Sequence, residues 1–279
     1  MVVKNKQDNA QLLQELHSSI IAKAKSLGAD LVGIASVEDL KKSPSHVIYP
    51  KMEHYDGVGT PESSEDGKSE IKWPDNAKSV IVIAIEHNTD ELELDWWDGK
   101  GTQGNRNLIE INKKLIKWLE ESQKIKIYKL PYYIEKGGIF LKDAAVLAGL
   151  GCIGKNNLLV TPEFGPRVRL RALFIAEELT PSRQLDFDPC TNCEEYCRKA
   201  CPNTVFDSVI YSSDEMGVPS LPSRNGCYSR SICNMQMEKD ADNGEIKENA
   251  REGESGKIIK YCRRCELGCI VGKSAETVW

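Results

Sequence analysis

The residues with the clearest chemistry are thiols. Cys190-Thr-Asn-Cys193-Glu-Glu-Tyr-Cys197-Arg-Lys-Ala-Cys201-Pro202 spaces four of them as C-x2-C-x3-C-x3-C-P, and Cys262-Arg-Arg-Cys265-Glu-Leu-Gly-Cys269 answers it as C-x2-C-x3-C. Soft thiolates on short loops are the donors an iron–sulfur cluster takes, because each corner of the inorganic cube must meet one sulfur. Disulfides would need an oxidising compartment, and the opening Met1-Val-Val-Lys-Asn-Lys has neither a signal-peptide nor a twin-arginine pattern. Structural zinc is the serious rival, since C-x2-C pairs are common zinc ligands. The crowding of the third and fourth thiols into one run, with Pro202 directly behind, favours clusters.

The elements that must position these thiols follow from the rest of the chain. Nine of the ten cysteines lie between residues 190 and 269. Residues 1–180 are therefore expected to form a core and 181–279 a metal-binding module. The four histidines (His17, His46, His54, His87) make no HxxxH or HExxH pair, which argues against histidine-built metal catalysis. A net charge of −5 gives no global attraction to nucleic acid. No apolar run approaches the ~18–20 residues of a membrane span, so a soluble, cytoplasmic protein is expected.

Residues 8–27 read as an amphipathic helix capped by Asp8 and ended by Gly28, and 31–37 as a short buried strand. The polar stretch 40–77, which includes Pro44, Pro50 and Pro61, reads as a lid, a binding loop or disorder, with His54-Tyr-Asp-Gly57 as ordinary loop polars. Residues 78–85 are apolar on both faces and read as a central strand. A second irregular stretch follows at 86–105. A helix is expected over 107–121, an extended segment over 127–134 and a short alanine-rich helix over 139–148. Strands over 157–161 and 167–174 flank a Pro-Glu-Phe-Gly-Pro turn. Arg167, Arg169 and Arg171 alternate onto one face of the second strand, which reads either as a solvated face or as one turned to an anionic ligand.

Gly149-Leu-Gly151-Cys-Ile-Gly154-Lys155 matches GxGxxG by letters. A helix precedes it and a strand follows, the reverse of a dinucleotide fingerprint, and Asn156 stands where a phosphate loop needs Ser or Thr. A glycine-rich elbow in this order still allows backbone to approach a large flat ligand.

The stretch from Lys142 to Leu170, KDAAVLAGLGCIGKNNLLVTPEFGPRVRL, resembles the signature of epoxyqueuosine reductases and their relatives, the corrinoid iron–sulfur reductases that include reductive dehalogenases. With the cysteine runs behind it, the resemblance covers roughly residues 125–270. It implies a nitroreductase-like α/β (α+β) core that binds base-off cobalamin, fused to a two-cluster ferredoxin-like module. It implies electrons passing from an outer to an inner 4Fe–4S cluster and on to cobalt. Gly151, Cys152, Gly154, Lys155 and Asn156 would line the corrin, with Arg167 at its propionamide or nucleotide edge. Cys152 stands where the family commonly has Trp. The family's catalytic Asp, in a segment ending in Pro, falls here on Glu135-Lys-Gly-Gly138, so Glu135 is the candidate acid.

The ferredoxin crossing rule assigns Cys190, Cys193, Cys197 and Cys269 to one cluster. It assigns Cys201, Cys262 and Cys265 to the other, completed by Cys227 or Cys233, with Cys233 favoured because Tyr-Ser-Arg-Ser-Ile-Cys resembles the family's entry. The reading that results is a cobalamin-dependent iron–sulfur reductase fed by a donor such as a ferredoxin or flavodoxin. Its substrate would be a tRNA or a small molecule. An electron carrier or reductive activator of a partner corrinoid protein is the alternative, and the Asp-to-Glu change, with a chain that stops at Trp279 before any helical-repeat tail, favours it over tRNA modification. A plain ferredoxin-type or zinc-binding module is the remaining alternative.

Overall fold

The computed structural model describes residues 2–52, 70–248 and 255–273; the side chains of residues 2–9, 135, 247, 248 and 255 lie outside that description. Its centre is a four-stranded antiparallel sheet in the order β1-β2-β6-β3. The strands are β1 (Leu31–Ser36), β2 (Ser79–Glu86), β6 (Val168–Ile175) and the two-residue β3 (Ile127–Tyr128). Strand β2 is buried from Ser79 through Ile85 and lies between β1 and β6, the central position its apolar run predicts.

Alternation along β2 sorts its side chains onto two faces. Ile81, Ile83 and Ile85 pack with α1 (Val2–Ser26) and α4 (Gln103–Glu121) through Ile20, Ala24, Leu108, Ile111, Leu115 and Leu119. Val80, Val82 and Ala84 face the other way, onto α5 (Leu141–Leu147) and its flank at Ala144, Ala145 and Ala148. The small side chains on this second face let α5 come close. A Cβ on Gly33 would lie 2.1 Å from the Ala148 carbonyl oxygen, so the strand has room only for glycine there. This close approach fixes the end of α5, where the glycine elbow begins.

The stretch 40–77 is not one loop. Val37–Lys41 forms α2 and Pro44–Ile48 forms α3, each opened by serine in extended conformation and the second by a proline at its start. His54 and its neighbours lie outside the described residues. Helix α1 begins at Val2, six residues before Asp8, so Asp8 is no cap. Helix α4 starts at Gln103, with Thr102 as its cap. Of 127–134 only two residues pair with β6; Pro131 follows, and Ile134–Lys136 turns as a 3-10 segment. No helix among the described residues is long and apolar enough to cross a membrane.

A buried polar latch holds α3 to α5. Asp143 accepts from the Ser43 hydroxyl at 2.8 Å, the Ser45 backbone N–H at 2.9 Å and the Ser45 hydroxyl at 2.7 Å, so an acid on one helix satisfies the N-terminus of another. His46 Nε2 accepts from the Phe140 N–H at 3.2 Å, which leaves Nδ1 to donate to Ser43 Oγ at 2.7 Å. Burial outweighs the nearby Asp143 charge and lowers the His46 pKa from 6.5 to about 4, keeping the ring neutral.

A histidine held neutral stabilises the fold fully above its unfolded pKa, and that contribution is lost as pH falls toward the folded value. Stability in urea is therefore expected to drop between pH 6.5 and about 4, by on the order of 2 kcal/mol from this group, and His46→Gln should flatten that part of the profile. Gly33→Ala should lower the urea midpoint at every pH, at a cost of about 1–3 kcal/mol, by pushing α5 off the sheet.

Candidate functional site

The elbow after α5 is shaped by contact with backbone. A Cβ on Gly151 would lie 2.1 Å from the Val160 oxygen, because β4 (Cys152–Ile153) folds straight back on β5 (Leu159–Val160). The carbonyls left at the tip are taken up by the cysteine-rich half. Ile153 O accepts from Arg224 at 2.8 Å, Lys155 O accepts from Arg198 at 2.9 Å, and Asn156 donates to Cys265 O at 3.4 Å. The elbow is thus the seam along which the two halves of the chain meet.

All ten cysteines are unbridged. Cys190, Cys193, Cys197 and Cys269 line one small cavity with Lys155, Tyr196 and Ile270. Cys201, Cys233, Cys262 and Cys265 lie along the wall of a second cavity of about 510 Å³. Cys227 is buried with its Sγ 3.8 Å from Asn225 O. Among the described residues no three or more His, Cys, Asp or Glu side chains close on a single ion; the two thiol sets border spaces instead.

Burial, and the thiols beside it, push Cys197 up to about 11 and Cys265 up to about 12. Backbone N–H groups oppose this at three sulfurs, from Arg198 to Cys197, Arg264 to Cys262 and Val271 to Cys269. Grouped thiols that resist ionising one another suit a cationic centre, which deprotonates its ligands outright.

The β6 arginines form neither a solvated face nor an open one. Arg167, 3% exposed, donates to the carbonyls of Val271 at 2.9 Å and Cys269 at 3.4 Å. Arg169 pairs with Asp95 at 2.7 Å and Glu266 at 3.1 Å, while Arg263 meets the same two acids at 2.5 Å each. His87 Nδ1 lies 2.8 Å from Asp95. Burial would raise the Asp95 carboxyl, but the His87 hydrogen bond and the two guanidinium charges hold it below its ordinary value. Arg171 donates to Asn105 at 3.1 Å and stacks over Tyr132. This cluster binds the 92–95 turn and β6 to α9 (Arg264–Leu267), which carries Cys265. Sequence reasoning missed Asp95, Arg263 and Glu266, although two of them stand inside the last cysteine run.

Opposite the second thiol set, the 510 Å³ cavity is walled by Tyr132, Tyr133, Phe140 and Phe206. It shares Ser45, Ile48, Lys142, Asn157 and Pro222 with a neighbouring cavity of about 620 Å³ that runs past Cys152 to Gln184 and Arg224. Of the residues singled out for a flat ligand, Asn156 borders the first cavity and Cys152 the second. Gly151 makes room for the Val160 carbonyl, and Gly154 for the side chains of Asn156 and Val160. Lys155 turns to the first thiol set and pairs with Glu195 at 2.9 Å. Glu135 lies in the 3-10 turn beside Ile134, which lines the first cavity; its side chain is outside the description. Lys142, given no role from the sequence, donates to Asn157 O on the shared wall, and burial lowers its pKa to about 8.

No protein-family model matches the chain. It is 30% identical over 221 residues to a tetrachloroethene reductive dehalogenase of Desulfitobacterium hafniense, covering 68% of this chain and 38% of that protein. It is 25% identical over 203 residues to an epoxyqueuosine reductase of Bacillus cereus, covering 68% of this chain and 52% of the relative. The chain thus spans about two-fifths to one-half the length of these curated relatives. Among solved structures, the epoxyqueuosine reductase from Bacillus subtilis superposes with a TM-score of 0.58 at 19% identity, over 94% of this chain and 66% of that one. A catabolic reductive dehalogenase superposes with a TM-score of 0.57 at 16% identity, over 93% of this chain and 32% of that one. The chain is therefore a relative in sequence of the epoxyqueuosine reductases and reductive dehalogenases, and it shares their mixed α/β fold.

Proposed function

We propose that the chain is a cobalamin-dependent iron–sulfur reductase unit, with a nitroreductase-like core over residues 1–180 and a two-cluster module over 181–279. One observation carries this reading: eight thiols sort into two groups of four, and they cross over. Cys269, from the last run, stands with Cys190, Cys193 and Cys197, while Cys201, from the first run, stands with Cys233, Cys262 and Cys265. That exchange of partners is the two-cluster ferredoxin pattern.

When bound, two 4Fe–4S clusters would supply single electrons and a base-off corrinoid the cobalt that passes them to substrate. The chain's part is placement. The first thiol set, bordered by the half-exposed Tyr196 and Ile270, would hold the cluster nearer the surface, within reach of a ferredoxin or flavodoxin donor. The second set shares its cavity with the aromatic wall, so Tyr132, Tyr133, Phe140 and Asn156 would hold a flat macrocycle beside those thiols. The adjoining cavity past Cys152 gives the remainder of a large ligand room beside Arg224. Glu135, next to the cavity-lining Ile134, is the proposed proton donor, and Lys142 holds a second proton at the wall between the cavities.

For the substrate, the relatives point two ways. An epoxyqueuosine reductase has been solved with an epoxyqueuosine-modified tRNA stem loop, and a reductive dehalogenase with 3-bromo-4-hydroxybenzoic acid. We favour a small molecule, since Tyr132 and Tyr133 leave partly exposed aromatic surface at the edge of the cavity proposed for the macrocycle. Reduction of a partner's corrinoid is the second reading, favoured by the exchange of the family's Asp for Glu135.

Anaerobic reconstitution should give about eight irons and eight sulfides per chain, and added cobalamin should show a base-off spectrum. Zinc without iron would overturn the whole reading; full clusters with no cobalamin bound would leave an electron carrier. In the same preparation Cys233→Ser should lose about half the iron, whereas Cys227→Ser should keep it.

A further inference from the structure

A four-residue step joins the two thiol sets, because Cys197 belongs to the first and Cys201 to the second. How far apart the sets lie therefore depends on how residues 197–201 are held. Arg198 sits inside this step, with a side chain only 14% exposed. Its Nε donates to Lys155 O at 2.9 Å. Nη2, with one hydrogen on the Nε edge and one on the next, is shared among Ser223 O at 3.0 Å, Ser223 Oγ at 2.7 Å and Asn225 Oδ1 at 2.9 Å. The guanidinium also lies over the Phe206 ring at 5.4 Å, and Phe206 lines the cavity of the second set. One planar fork thus joins the core elbow, the 223–225 turn and the thiol-bearing step.

The first cysteine run gives a reason for such a clamp. The bacterial two-cluster run is C-x2-C-x2-C-x3-C-P, and here three residues separate Cys193 from Cys197. The backbone turns left-handed at Glu195, with φ +57°, a conformation that non-glycine residues adopt at a cost. The Glu195 carboxylate is caught by Lys155 at 2.9 Å and approached by Arg198 at 3.6 Å. The added residue is absorbed where the elbow and Arg198 can hold it.

We propose that Arg198 is a positioning residue that fixes the spacing between the two thiol sets and thereby the passage of electrons from one to the other. This rests on the two-cluster reading given above. A lysine cannot replace it fully, because an ammonium is a point donor that does not span acceptors on both edges of a planar fork.

The test uses the reconstituted protein, with Lys199→Met as a control that removes a neighbouring exposed cation outside the clamp. Iron content is measured first. Wild type with fewer than two clusters would overturn the functional reading, and this inference with it, before any variant is compared. With two clusters present, Arg198→Met is expected to keep its iron but to weaken the spin coupling between reduced clusters. It should also slow electron exchange between them about tenfold, as small misplacements of reacting groups do. Arg198→Lys should fall between. If Arg198→Met fails to load, the double change Ser223→Ala with Asn225→Ala removes two acceptors while leaving Arg198, and should slow exchange in the same direction. Coupling and exchange equal to the Lys199→Met control, in whichever of these variants holds full iron, would overturn the assignment.

Discussion

Sulfur atoms buried beside one another resist ionisation, and the fold holds four such thiols, Cys197, Cys262, Cys265 and Cys269, at its two cysteine-lined cavities. Burial and neighbouring thiols raise Cys265 to about 12 and Cys197 to about 11. The polypeptide offers only a few backbone N–H groups in return, from Arg198, Arg264 and Val271. Loops with few regular elements of their own must therefore be fastened to something rigid. That support is the antiparallel sheet, with its isoleucine face on α1 and α4 and its smaller valine and alanine face on α5.

The fastening runs through three kinds of contact, each drawn from a different part of the sheet layer. The tip of the elbow offers its carbonyls to Arg198 and Arg224. Strand β6 sends Arg167 to the carbonyls of Cys269 and Val271. Behind Cys265, two arginines and two carboxylates close on one another with His87, a group whose formal charges balance. Balance matters there, because an unpaired charge beside a buried site costs far more than a paired one. Nearer the cavities, the Asp143 latch fixes α3, so Ser45 and Ile48 stand on the wall the two cavities share.

Much of this was legible in the residues because the signals were local. The cysteine spacings, the apolar run of β2 and the glycine elbow each lie within a dozen positions; the structure puts the apolar run at the centre of the sheet and the elbow between α5 and β5. What could not be read depends on partners distant in the chain. Alternation puts Arg167, Arg169 and Arg171 on one face of β6, but it does not say that Asp95 and Glu266 arrive to meet Arg169. Helices α2 and α3 are five residues each, too short for periodicity to register, and Asp143 contributes from a hundred positions away. Lys142 opens the signature stretch, but nothing around it in the sequence foretells its burial between two cavities.

The crossing of the thiol sets has a bearing on biosynthesis. Cys269 completes a group begun at Cys190, and Cys262 and Cys265 complete one that includes Cys201. Neither quartet can be whole until the ribosome has passed the last run, however early the sheet has formed. During that interval the leading thiols stand unpaired on a nascent chain, open to oxidation or to stray metal. If the two groups hold clusters as proposed, iron and sulfide can complete them only after Cys269 has been made.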